Sequence, residues 1–204
     1  MQRKSAIAIF ILMASLPLFS EVVPSAAQGG GLPQWTVGTG FSYFSPNYGP
    51  GHLAGGTLWI NDSLNGMPSF LSGISLDIEA RDLSLYRSSN EPVTRVDTAA
   101  VGAIYTWSHF RKFHPYAGVT GGLGNIDYMI PGGDKYHQSR TVTSMSGGCD
   151  IRAFKSVWVR ADYEYQYWPN FWITKKSAPN GAPIDPNGLT IGAIYHFGHD
   201  RRVY

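Results

Sequence analysis

Two short stretches of the chain carry a charge at every second position. Asp77, Glu79 and Arg81 alternate with Ile78 and Ala80, and Arg160, Asp162 and Glu164 alternate with Ala161 and Tyr163. Carboxylates brought together in this way could divide the work of general acid and general base. The same six side chains include an arginine in each stretch, so they could instead neutralise one another as a salt-bridge network. Buried charges must be paired, because an uncompensated one is strongly destabilising. The network explains the pattern without chemistry and is the simpler reading.

The other reactive groups offer less. His137 stands two residues before Ser139, in the manner of a base and nucleophile of a lipid acyl hydrolase, but Asp134 is the one evident carboxylate nearby. His196 and His199 fall near the opposite end of the pattern described below, and Lys175 and Lys176 read as a solvated pair. The six histidines show no metal-ligand spacing, and neither G-x-G-x-x-G nor G-x-S-x-G occurs. The single cysteine, Cys149, has no internal disulfide partner and falls on the apolar side of its segment, which suits a small apolar residue better than a nucleophile. The expectation is therefore no catalytic residue, no metal, no cofactor and no enzyme.

The elements that would position the charges are strands. In 156–168, Val157, Val159, Ala161, Tyr163, Tyr165 and Tyr167 alternate with polar or charged residues, and Trp158 and Trp168 stand among the latter at the ends. That period of two marks a strand with unlike faces. Segments 35–45, 73–83, 96–107, 115–126, 141–151 and 188–197 show it too, and 53–61 shows it weakly. Gly-, Pro-, Asn- and Asp-rich connections separate them, and no helix-period segment competes after the N-terminus. An even number of antiparallel strands without a covering helix closes best into a barrel, which removes both exposed edges. The connections after the fourth and sixth strands are short and basic, whereas those after the third, fifth and seventh are longer and 169–187 is the longest; 62–72, after the second, is a long exception on the short side.

Arg3 and Lys4 precede an apolar run over 6–18, and Ser25-Ala26-Ala27 follows. This is the pattern of a secretory signal peptide spanning 1–27, cut before Gln28; the run is too short for a spanning helix and Pro17 interrupts it. Residues 28–197 would form the barrel and 198–204 a short extension. Charged residues are 15% of the chain, against roughly 25% in soluble domains, while 14% are aromatic. The near balance of charge gives no reason to expect nucleic acid.

Alternation alone fits both a soluble barrel of lipocalin type and a membrane barrel turned inside out. The apolar faces of the first, third, fifth, seventh and eighth segments carry no charge, as lipid requires, since a charge at the bilayer midplane costs roughly 2–4 kcal/mol. The opposite faces combine charges with small residues, which suits the lumen of a small barrel. Trp35, Tyr43, Tyr105, Trp107, Tyr165, Tyr167, Tyr195 and Phe197 gather at strand ends, where aromatic girdles form.

On segments 115–124, 157–167 and 188–197 the chain resembles the OmpA-like eight-stranded outer-membrane β-barrels. The resemblance implies an all-β, up-and-down transmembrane barrel in the outer membrane, in contact with its lipid and monomeric. It also implies that Tyr195 and Phe197 close the aromatic-ended signal read by the barrel-assembly machinery. The family usually stops at that aromatic, whereas Gly198–Tyr204 follows here, ending in another. The function expected is a structural or adhesive role through the outer loops, toward a ligand the sequence does not name. A narrow gated channel and a lipid-modifying acyl hydrolase are the alternatives, and eight strands leave little room for a wide pore.

Overall fold

The computed structural model describes residues 35–47, 51–64, 71–85, 94–107, 112–129, 135–171 and 182–197. The expected signal segment 1–27, the expected extension 198–204, Asp134, Lys175, Lys176 and His199 lie outside them. The strands are β1 (Trp35–Ser45), β2 (Leu53–Ser63), β3 (Ile74–Leu85), β4 (Arg95–Thr106), β5 (Phe113–Met129), β6 (Lys135–Arg152), β7 (Val157–Phe171), β8 (Ala182–Ile184) and β9 (Asn187–His196).

Each strand from β1 to β7 pairs antiparallel with the next, β7 pairs with β9, and β9 returns to β1 from Thr36↔His196 to Ser45↔Asn187. The sheet is thus a closed eight-stranded antiparallel barrel, with β8 as an addition above β9. Burial follows the two-residue period of the sequence. Along β1 the residues at 35, 37, 41 and 43 are exposed, while Thr36, Gly38, Ser42 and Phe44 are buried. The apolar residues face out and the polar ones in, the reverse of a soluble barrel.

Three departures from the sequence pattern have physical causes. β5 and β6 run on to Met129 and from Lys135, leaving 130–134 as a short connection where a long loop was expected. Asn125, Asp127, His137 and Ser139 face outward there, so no hydrophobic period marks the strand. β7 continues to Phe171 and pairs with β8, so the expected 169–187 loop begins and ends in strand. β2 alternates weakly because Leu53 and Trp59 point into the lumen while Leu58 points out, putting apolar residues on both faces.

Candidate functional site

The lumen holds two layers of different chemistry. In the middle lie Asp77, Glu79, Arg81, Arg160, Asp162 and Glu164, all buried. Arg81, on β3, reaches across the barrel to β7, its Nη2 at 2.6 Å from Glu164 Oε2 and 3.2 Å from Glu79 Oε2. Its Nε donates to Thr57 Oγ1 at 2.9 Å, and its guanidinium lies over the Phe44 ring at 4.7 Å. The inward faces of β3 and β7 therefore meet through one arginine and two carboxylates.

Arg160 takes a partner outside the six. It forms a two-pronged pair with Asp150 on β6, at 2.8 Å through both Nε and Nη2, in register Asp150↔Arg160. Such a fork fits the planar guanidinium to the carboxylate and is among the stronger charge-assisted contacts. Tyr116 and Trp59 complete its surroundings, with Arg160 at 4.5 Å and 5.4 Å from their rings. The Tyr116 hydroxyl donates to Asp162 Oδ1 at 2.6 Å. Asp77 accepts from Asn61, which itself accepts from Thr36. Among the described residues, Arg81 Nη1, Thr98 Oγ1 and Asp162 Oδ2 have no hydrogen-bond partner.

A chain of hydrogen bonds leads outward from this layer. Gln166 Nε2 donates to Glu164 Oε1 at 2.8 Å, and Trp168 Nε1 donates to Gln166 Oε1 at 3.0 Å. Trp168 is fully buried and belongs to the second layer, an apolar cluster of Phe44, Leu53, Leu83, Val96, Ile126, Val142, Trp168 and Ile184. By register these lie toward the Ser45 end of the barrel, beyond the charged layer. The side chain of Trp168 needs the space over Gly124, where a Cβ would come within 2.0 Å of its ring. Trp168 therefore packs inside the barrel, on the polar side of its strand. At the other end Trp158 lies between His114 and His196, with ring centroids 4.5 Å and 5.1 Å away.

Asp150, Tyr116, Asn61 and Gln166 were all on the polar sides of their strands, but only register could show which of them meet the six charged residues. Trp59, Phe44 and Trp168 carried a weaker signal, being aromatics on the small or polar side.

The outer surface divides by height. Trp35, Tyr105, Trp107, Tyr195 and Phe197 point outward near one end, and Tyr43, Tyr165 and Tyr167 near the other. Tyr105–Trp107 and Tyr195–Phe197 meet edge to face at 5.0 Å and 4.7 Å. Between the bands the outward residues include Val37, Phe41, Leu58, Leu76, Val101, Val119, Leu123, Met145, Val159, Tyr163 and Ile191, all exposed. Cys149 shares this face, half-exposed. Above the upper band the surface turns polar: Arg95 bridges Asp82 at 2.8 Å and Asp97 at 3.2 Å, and His137 pairs with Asp127. His137 thus has a carboxylate on the neighbouring strand, which the sequence had not located, but both partners are largely solvent-exposed. Among the described residues no group of three or more His, Cys, Asp or Glu side chains is placed to hold a metal ion.

No family model matches the chain. No curated protein matches it either. Solved structures do. Neisserial surface protein A (NspA) superposes with a TM-score of 0.61 at 13% identity, over 83% of this chain and 100% of that one. A major outer membrane protein of Thermus thermophilus gives 0.58 at 11% identity, over 81% and 99%. Ail, the attachment invasion locus protein of Yersinia pestis, in complex with the heparin analogue sucrose octasulfate, gives 0.53 at 14% identity, over 81% and 99%. What the chain shares with these outer-membrane proteins is the fold, an eight-stranded antiparallel barrel.

Proposed function

We propose that the protein spans the outer membrane of a Gram-negative-type cell as a non-enzymatic barrel and makes surface contacts through its outer connections. The observation that carries this is the uncharged apolar belt between two aromatic bands. From Trp35 to Tyr43 the chain takes eight steps. At about 3.3 Å per step and a tilt of about 40° these rise about 20 Å, near the roughly 25 Å apolar band of such barrels once the bulk of the rings is added. A water-soluble protein rarely exposes a continuous apolar surface of this extent. In this setting the eight aromatics act as girdles. Tyr195 and Phe197 serve as the insertion signal for the assembly machinery, and 1–27 is removed on export.

The lumen supports a structural role. The charged side chains are buried and ion-paired and the apolar cluster packs at the outer end, which favours a structural role over conduction or catalysis. The likeness to an attachment invasion protein supports the contact role. Protease shaving of intact cells tests the topology: cleavage within 172–181 is expected, and full protection contradicts it. Adhesion to matrix-coated surfaces by cells with and without the protein tests the contact role, for which loss on deletion is expected and unchanged adhesion is contrary.

A further inference from the structure

The two connections that are short and basic in the sequence meet at the end of the barrel opposite the apolar cluster. The carbonyl of Lys112, just before β5, accepts from the amide of Arg152 at the end of β6, at 3.0 Å. The chain then turns back into β7, and the amides of Ala153 and Phe154 both donate to Val157 O, at 3.2 Å and 2.9 Å. Lys112, Phe154 and Lys155 are exposed, Phe154 to 73%. A pinned backbone thus presents two ammonium groups and a large apolar ring.

Neither ammonium group is compensated. Among the described residues no carboxylate pairs with Lys112 or Lys155. Asp150, on the neighbouring strand, is held by Arg160 inside the lumen. Asp62 is the acidic residue described at this end, and it lies on β2, four strands round the barrel from β6. The outer rim differs, since Arg95 there is held by Asp82 and Asp97.

Position decides what the two lysines meet. In the ring of strands, β5, β6 and β7 lie between β4 and β9. The lower aromatic band flanks this sector on both sides, through the Tyr105–Trp107 pair beyond β4 and the Tyr195–Phe197 pair beyond β9. Between them Phe113 and Ile151 face each other in register, 46% and 45% exposed, with the shorter Cys149 and Val159 above. The apolar belt therefore runs down to the foot of the sector and ends on lysines. Aromatic bands lie at headgroup depth. A lysine stem can follow apolar surface while its ammonium stays among the headgroups.

We infer that Lys112, Phe154 and Lys155 bind the headgroup of an anionic phospholipid of the phosphatidylglycerol type, whose acyl chains lie along the outward face of β5–β7. An anion in solution has no use for the exposed apolar side chains around the lysines. A zwitterionic headgroup brings its own cation, whereas a net negative phosphodiester answers two that lack partners. The inference rests on the membrane-spanning reading proposed above and gives one sector of the barrel a preferred lipid.

Cys149, the single cysteine, stands on the outward face of this sector and can carry an NBD fluorophore in the full-length protein. In phosphatidylcholine vesicles at low salt, lipids with a nitroxide on an acyl chain quench the dye on contact. Nitroxide-labelled phosphatidylglycerol is expected to quench at least about fivefold more effectively than its phosphatidylcholine counterpart, the gain expected of one surface lysine or more. Lys112→Gln together with Lys155→Gln should bring that ratio close to one, as should molar salt, while Lys112→Arg together with Lys155→Arg should preserve it. A dye placed on the opposite wall by Leu58→Cys, with Cys149→Ala, should show no preference. Equal quenching by the two lipids at position 149 overturns the inference and leaves the membrane reading standing. A preference that survives the glutamine pair, or one as large at position 58, overturns it too. Absence of quenching by either lipid overturns both.

Discussion

The middle and the outer end of the lumen are closed by different physics. In the middle, Arg81 and Arg160 hold Glu79, Glu164 and Asp150 through directional pairs, with Tyr116 and Asn61 donating to the remaining aspartates. At the outer end, Phe44, Leu53, Leu83 and Trp168 are held chiefly by apolar packing. A charged layer tolerates little loss, because removing one member leaves the others buried and uncompensated. An apolar layer loses in proportion to the volume removed. The link between them, Glu164 to Gln166 to Trp168, fixes the orientation of the plug from the network below.

The largest expected effect breaks the charged layer. Arg81→Ala strands Glu79 and Glu164 and should cost about 3–5 kcal/mol in urea unfolding from lipid vesicles. A loss below about 1 kcal/mol would mean that the two carboxylates do not depend on it. Next comes Trp168→Ala, expected to cost about 3 kcal/mol through the cavity it opens. Because the charged layer still stands, that variant alone should show no conductance in planar bilayers, whereas Arg81→Ala combined with Trp168→Ala should conduct. Conductance from the single variant would show that the outer plug closes the lumen unaided.

On the outside, Ile191→Arg at mid-belt should cost about 2–4 kcal/mol in a bilayer. Arg95→Ala breaks an exposed rim pair and should change stability by less than about 1 kcal/mol, the small reference against which the buried arginine is measured. Equal losses at Arg81 and Arg95 would erase the distinction between lumen and rim.

Much of this organisation was legible in the sequence. The period of two located every strand of the barrel, since one face meets apolar surroundings and the other does not. The pattern failed where the outward face is polar, at Asp127, His137 and Ser139, and where both faces carry apolar residues, around Leu53 and Trp59. Within the site, the alternation marked Arg160 as inward-facing but could not name Asp150 as its partner, because partnership depends on the register between β6 and β7. Trp168 stands among the polar residues of its strand for a related reason: its place in the lumen depends on Gly124, on another strand, which makes room for it.

The central claim is that the apolar face of the barrel lies in lipid and the charged face in the lumen. Spin labels placed one at a time along 157–167 of β7, in a Cys149→Ala background and reconstituted in a bilayer, test it most directly. Labels at odd positions such as 159, 161 and 163 should collide freely with lipid-dissolved oxygen and hardly at all with a water-soluble nickel chelate. Labels at 160, 162 and 164 should be shielded from oxygen, giving an accessibility that alternates with a period of two. Odd positions open to the nickel chelate, or no alternation, would contradict a membrane-spanning barrel.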